Sequence, residues 1–234
     1  MRIHVIDPVV HADLGHSRTY FARHAAPDVE ITVVALDEGP RAIETDHDIV
    51  LAGPGVVTRV REAQAAGADA VIINCMADPA LYASREVARI PVVGPAQTAF
   101  ALAATLADRF SVLGTMPRDV PFTRDLWRRY GHADRGASVR TVDLPVLDLR
   151  TDDGSLLERM VVCSVAAIQQ DGAGAIVFGC TLMAELRDAL VTALAARGHG
   201  GIAIIDPLAT ALRTAEMLVR LELRHSDATW PPLP

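Results

Sequence analysis

The chain has 234 residues, 50% of them hydrophobic and 22% charged, a balance that can fill a folded core and that excludes disorder and collagen-like repeats. A formal charge of -7 leaves no basic surface to follow a phosphate backbone, which argues against nucleic acid as a partner. All 22 basic residues are Arg, and without Lys neither a pyridoxal phosphate Schiff base nor a Walker A loop can form.

Residues Met1 to Pro8 read as a strand entering a turn, without the apolar run and cleavage site of a secretory leader. No window approaches 18 uninterrupted apolar residues, so a cytoplasmic protein with no membrane partner is expected. Strands are predicted at Arg2 to Ile6, Glu30 to Leu36, Ala68 to Ile73 and Pro91 to Val93, then at Ser111 to Gly114, Ser138 to Val142, Ala175 to Phe178 and Ile202 to Ile205. Between them, apolar stripes at helical spacing predict helices over Val56 to Ala66, Pro79 to Ala88, Thr98 to Ala107, Leu156 to Gln170, Ala184 to Ala196 and Leu208 to Leu221. Arg128 and Arg129 read as a solvated helix face, and 230–234 as an extended or frayed terminus. Such alternation of strand and helix defines an α/β protein with parallel sheets.

An internal repeat carries most of the information. Gly67-Ala68-Asp69-Ala70-Val71-Ile72-Ile73-Asn74-Cys75 aligns without gaps with Gly172-Ala173-Gly174-Ala175-Ile176-Val177-Phe178-Gly179-Cys180. Downstream, Ile90 to Pro95 matches Ile202 to Pro207, and upstream Ile3 to Pro8 matches Ser111 to Pro117. Two copies of a four-stranded βα unit are therefore expected, each placing a Cys where its third strand ends. Ligands of open parallel sheets bind outside that end of the strands. If the halves pack with pseudo-twofold symmetry, Cys75 and Cys180 approach one pocket from opposite sides.

Inverting a carbon acid without a cofactor requires removing a proton from one face and delivering one to the other, which a thiolate and a thiol can do between them. Asp78 and Pro79 read as the N-cap and first residue of a helix close to Cys75, and Thr181 as a cap beside Cys180; a helix N-terminus favours thiolate. Cys163, inside an apolar helical run, reads as core. The three Cys form neither a disulfide framework nor a CxxC pair, and none of the eight His pairs with a Cys at zinc spacing, so reduced thiols and no metal are expected. His11 and His16 follow the first strand at its carboxyl end, where a pocket role is open to them.

These residues resemble the aspartate/glutamate/hydantoin racemase superfamily, and within it the hydantoin and allantoin racemase branch. The likeness runs through Asn74 to Leu81, Ala83 to Glu86, Ile90 to Gly94, Arg109 to Val112, Asp143 to Leu147, Gly179-Cys180 and Ile205-Asp206-Pro207. It implies two pseudosymmetric flavodoxin-like domains with the active site between them, 1–96 with 208–234 and 97–207. It further implies a racemase or epimerase with no cofactor, a small-molecule substrate, a homo-oligomeric assembly, and Cys75 and Cys180 as the acid/base pair.

The candidate substrate-binding residues are Asp7, His11, Ile43, Asn74, Met76, Gly114, Thr115, Gly179 and Thr181. Some depart from the branch: Asp7-Pro8-Val9-Val10-His11 stands where it has Asn-Pro-Asn followed by Ser or Thr, Met76 replaces an aromatic, and Thr181 matches the Gly-Cys-Thr of amino-acid racemases. An ionised Asp7 would repel a substrate carboxylate, which favours a neutral ring such as a hydantoin. A maleate-type cis-trans isomerase using one Cys as nucleophile, an arylmalonate-type decarboxylase and a small-ligand-binding homologue without turnover are the alternatives.

Overall fold

The computed structural model describes residues 1–10, 14–150, 154–231 and 233. In chain order the elements are β1 (Arg2–Asp7), α1 (Gly15–His24), β2 (Glu30–Ala35), α2 (Asp46–Ala65), β3 (Ala70–Ile73), α3 (Leu81–Val87), β4 (Val92–Val93) and α4 (Pro95–Leu106). There follow β5 (Phe110–Gly114), α5 (Asp119–Arg129), β6 (Gly136–Thr141), α6 (Ser155–Asp171), β7 (Ala175–Phe178), α7 (Arg187–Ala195), β8 (Ala203–Ile205) and α8 (Pro207–Arg220). The strands form two four-stranded parallel sheets, ordered β2-β1-β3-β4 and β6-β5-β7-β8. By contacts the chain divides into a unit of Met1–Pro95 with Leu208–Pro234 and a unit of Ala96–Pro207.

The central strands explain why each sheet forms. Every residue of β3, β5 and β7 is buried, as befits parallel strands with both faces covered, and their runs of Ile, Val, Leu and Phe contain almost nothing polar. Each such side chain removed from water contributes roughly 1.5–3 kcal/mol. Register is the same in the two sheets: Ile6 lies opposite Ile73, and Leu113 opposite Phe178. The last helix belongs to the first unit because Leu208, Ala211, Leu212 and Ala215 form one fully buried stripe. Its polar side is tied to the end of α1, where Glu216 accepts from the Ala26 N–H at 3.1 Å and Arg213 donates to the His24 carbonyl at 2.8 Å.

Three local features differ from the sequence expectation. Helix α2 begins ten residues before Val56, at Asp46, because Thr45 and Asp48 form a reciprocal capping box. Pro54 then sits inside the helix, where the Val50 carbonyl that it leaves without an amide belongs to an exposed residue. Helices α1 and α5 were not among the predicted elements, although Arg128 and Arg129 do lie on α5. Finally, the terminal segment is anchored as far as Trp230. That ring packs 5.8 Å from Tyr82 and 5.4 Å from His225, with the guanidinium of buried Arg85 at 5.0 Å from its centre. Arg85 also donates twice to the Val92 carbonyl, at 3.1 Å each. His225 Nε2 meets the Val92 N–H at 2.9 Å, and Arg89 bonds Asp227 at 3.1 Å. The segment thus covers β4, the two-residue edge of the first sheet.

This clasp is acid-sensitive. Burial, and then the Arg85 charge, push the His225 imidazole from its ordinary 6.5 down to about 4. Its pKa is lower folded than unfolded, so between pH 6.5 and 4 the unfolded chain binds the extra proton and stability falls as pH falls. The expected loss is about 1–2 kcal/mol across that window, allowing for solvent screening of the partly exposed ring. Urea unfolding followed by Trp fluorescence should show it, and His225→Ala should flatten the dependence; an unchanged slope in that variant would refute the clasp.

Candidate active site

The two sheets end in the same backbone pattern. In the first unit the Asn74 N–H donates to the Ile6 carbonyl at 2.8 Å, and the Cys75 carbonyl accepts from the Asp78 N–H at 3.0 Å. In the second the Gly179 N–H donates to the Leu113 carbonyl at 2.7 Å, and the Cys180 carbonyl accepts from the Met183 N–H at 3.2 Å. Each Cys therefore follows the last inter-strand bond of its third strand and opens a tight turn. Cys75 is partly exposed and Cys180 buried, at 9% exposure.

The groups next to each sulfur differ from the capping expectation. Helix α3 starts at Leu81, and Asp78 is instead a buried turn residue with φ of 45°. Its carboxylate lies against the Cα of Gly94, where any Cβ would come within 2.5 Å of it. The amide that reaches Cys75 Sγ is that of Ala77, at 3.4 Å, donated from the turn and not from a helix end. Cys180 itself occupies the N-cap position of a short 3-10 turn, Thr181–Leu186, of which buried Thr181 is the first residue. Cys163 lies in α6, half-buried against the second core, and donates to the Thr141 carbonyl at 3.2 Å. Burial pushes its thiol above the ordinary range.

Asp7, 4% exposed, joins three elements. Its carboxylate accepts from Ser17 Oγ of α1 at 2.8 Å and from Asn74 Nδ2 at 2.7 Å, and Asn74 Nδ2 also lies 3.3 Å from Ser17 Oγ. The side chains of Asp7 and Asn74 are brought together because their strands run side by side, one step beyond the Ile6 and Ile73 pair. Thr115, also buried, is held in the second unit, where Asp119 Oδ2 accepts from its N–H at 2.6 Å and its hydroxyl at 2.9 Å. Met76 is buried, while Ile43 is half-buried just ahead of the Thr45 cap. His11 lies outside the described residues. Ser17 and Asp119 were missed by sequence reasoning; Asp119 in the first turn of an unpredicted helix was the available signal, whereas Ser17 gave none. Among the described residues, no group of three or more His, Cys, Asp or Glu could hold a metal ion, and no helix is long and apolar enough to cross a membrane.

Comparison with known proteins gives this arrangement a family. The profile of the Asp/Glu/Hydantoin racemase family matches residues 16–215. The chain belongs to that family. It is 36% identical over 227 residues to a hydantoin racemase from Pseudomonas sp. (strain NS671), covering 97% of this chain and 89% of that protein. An allantoin racemase from Klebsiella pneumoniae superposes with a TM-score of 0.88 at 35% identity, covering all of this chain and 94% of the other. A maleate isomerase from Pseudomonas putida S16 superposes with a TM-score of 0.69 over 95% of this chain and 93% of its own, but at 16% identity that likeness extends to the fold alone. The chain is thus a racemase, an isomerase, of the hydantoin and allantoin branch.

Gly179, the residue before Cys180, is closely packed in this racemase. A Cβ there would lie 2.6 Å from the Leu113 carbonyl oxygen, the atom that accepts the Gly179 N–H, and 3.1 Å from the Cα of Gly114. Gly179→Ala is expected to destabilise the fold by about 1–3 kcal/mol and to shift Cys180 away from its position. Urea unfolding together with the rate of racemisation checks it; wild-type stability and rate in that variant would refute the close packing.

Proposed function

We propose that this racemase inverts a small carbon acid of the hydantoin type by proton transfer between Cys75 and Cys180, with no cofactor. One sulfur, as thiolate, takes the proton from the chiral carbon and becomes a thiol. The other, a thiol, returns a proton to the opposite face and becomes the thiolate. The charge left on the intermediate is spread onto the adjoining carbonyl oxygen, which backbone N–H groups beside each Cys stabilise. Thr115, Gly179 and Thr181 line the substrate pocket, and Asp7 acts through Asn74.

The observation that carries this reading is the repeated strand-end geometry: two cysteines, each fixed by the same pair of backbone bonds at the ligand-binding edge of a parallel sheet. Structural cysteines have no reason to recur at equivalent places with equivalent turns. The substrate class is supported by the relatives, a hydantoin racemase and an allantoin racemase. A hydantoin also suits a thiolate base, since its ring carbonyls acidify the C–H more than the carboxylate of an amino acid does.

In deuterated water, wild-type protein should racemise a 5-substituted hydantoin with incorporation of deuterium at C5. Cys75→Ala and Cys180→Ala should each lose racemisation by about 100-fold or more, each retaining exchange toward one enantiomer only. Full racemisation by both single variants would sink the two-thiol assignment.

A further inference from the structure

The turn that follows Cys75 is held in a backbone conformation that its residues do not favour. Asp78 and Ala80 have positive φ, 45° and 54°, and are two of the four non-glycine residues of that kind among the described residues. Glycine adopts such angles freely, whereas another residue stays there only where its surroundings enforce it. The turn after Cys180 differs: residues 180–186 run into a 3-10 turn, and none of them has a positive φ. The repeat placed both thiols at strand ends, but only the first is followed by a strained turn.

Asp78 is fastened through its backbone and its side chain. Its N–H donates to the Cys75 carbonyl at 3.0 Å, and its carbonyl accepts from the N–H of Leu81, the first residue of α3, at 3.2 Å. Its side chain, 2% exposed, fills the space over Gly94, where a Cβ would lie 2.5 Å from Cγ and 2.6 Å from each carboxylate oxygen. Gly94 follows β4, whose Val93 lies opposite Ile72 of β3, so the carboxylate ties the turn to the strand next to the one that carries Cys75. Between Cys75 and Asp78 lies Ala77, whose N–H reaches Cys75 Sγ at 3.4 Å. That contact is made from inside the segment that the Asp78 N–H closes, so it lasts only while the turn keeps its shape. A hydrogen bond to a charged acceptor is stronger than one to a neutral acceptor, so this N–H favours the thiolate.

We propose that Asp78 is a positioning residue for Cys75: wedged against Gly94, its carboxylate fixes the 75–78 turn and keeps the Ala77 N–H on the sulfur. Gly94 is the other half of the device, since any side chain there would strike the carboxylate. This rests on the racemase reading and extends it, because it names what holds one of the two bases in place. Cys180 needs no such wedge, being packed into the core of the second unit.

The test reads each thiol separately. In Cys180→Ala protein, deuterium exchange at C5 of 5-benzylhydantoin is carried by Cys75, and in Cys75→Ala protein by Cys180. Asp78→Gly suits the backbone but removes the carboxylate. It should slow the exchange carried by Cys75 by about tenfold or more, and that carried by Cys180 by less than about threefold. Gly94→Ala should act in the same way, yet add little to Asp78→Gly, because the atoms it would strike are gone. Equal slowing in both backgrounds overturns the proposal, as does no slowing of the Cys75 exchange or full additivity of the two changes. A second measurement needs no turnover: iodoacetamide labelling resolved by mass spectrometry. Cys75 should be labelled at least about threefold more slowly in Asp78→Gly than in wild-type protein, with Cys163 and Cys180 unchanged. If Asp78→Gly does not fold, Gly94→Ala takes its place with the same result expected. Unchanged labelling of Cys75, or a change at all three Cys, overturns the proposal. Slower labelling of Cys75 alone, in a protein that exchanges no hydantoin in any form, would support the wedge and refute the racemase reading.

Discussion

One backbone hydrogen bond in each unit sets where its Cys leaves the sheet. The residue before each Cys donates its N–H to the carbonyl of the neighbouring central strand, Asn74 to Ile6 and Gly179 to Leu113, and with that bond the parallel ladder stops. The next residue leaves the sheet at a fixed height and direction. Because the acceptors Ile6 and Leu113 are fully buried and each donor directly follows a fully buried strand, the start of each Cys turn is tied to the core itself. A side-chain tether could not give this: it would carry rotamer freedom that a backbone bond between buried strands has already lost.

On this shared frame the two halves have diverged in what surrounds the thiol. The first carries Asp7, Ser17 and Asn74 as a closed polar group, in which the carboxylate is satisfied by a hydroxyl and an amide instead of by water. The second has removed the equivalent side chains; Gly179 packs so closely on Leu113 and Gly114 that even a methyl group has no room. Its polar anchor has moved to Asp119, which gathers the amide and hydroxyl of Thr115 and so fixes the β5–α5 turn from the helix side. The two Cys therefore differ in their neighbours: a polar group adjoins Cys75, and bare backbone adjoins Cys180.

The fold was legible in the chain because parallel strands write themselves as unbroken Val, Ile and Phe runs, and because a gapless duplication is visible without knowing what it encodes. The strands of both sheets follow the predicted segments to within about two residues at either end. What could not be read had opposing signals. The Gly-Pro-Gly of 53–55 masked the first half of α2, whose start depends on a capping box upstream. Asp78-Pro79 has the form of a helix start, yet Asp78 takes a positive φ beside Gly94, a choice made by packing and invisible in local pattern. The burial of Asp7 and its bonding to Ser17 depend on a helix with too weak an apolar stripe to announce itself. Trp230 in a Pro-rich end looked like a frayed terminus, and only the three-dimensional placement of Arg85 and Tyr82 gives its ring a place to rest.

What holds the two sulfurs in place is separate from most of the side chains around them. The bonds that locate Cys75 and Cys180 are main-chain bonds, in which the side chains at 8–10, 76 and 181 take no part. Those positions are where the chain departs from the hydantoin branch: Val9 and Val10 stand where polar groups are usual, Met76 where an aromatic is, and Thr181 as in amino-acid racemases. Their side chains take no part in the main-chain bonds that hold the two Cys. The exception is Asp7, whose carboxylate is bound to Asn74, the residue whose own N–H ends the ladder. Asp7 is bonded to the residue that ends the ladder, so a change there carries through Asn74 to the attachment point of Cys75. In a duplicated site this coupling exists on one side only, because on the other side the equivalent pair is Gly114 and Gly179 and there is no side chain to transmit it.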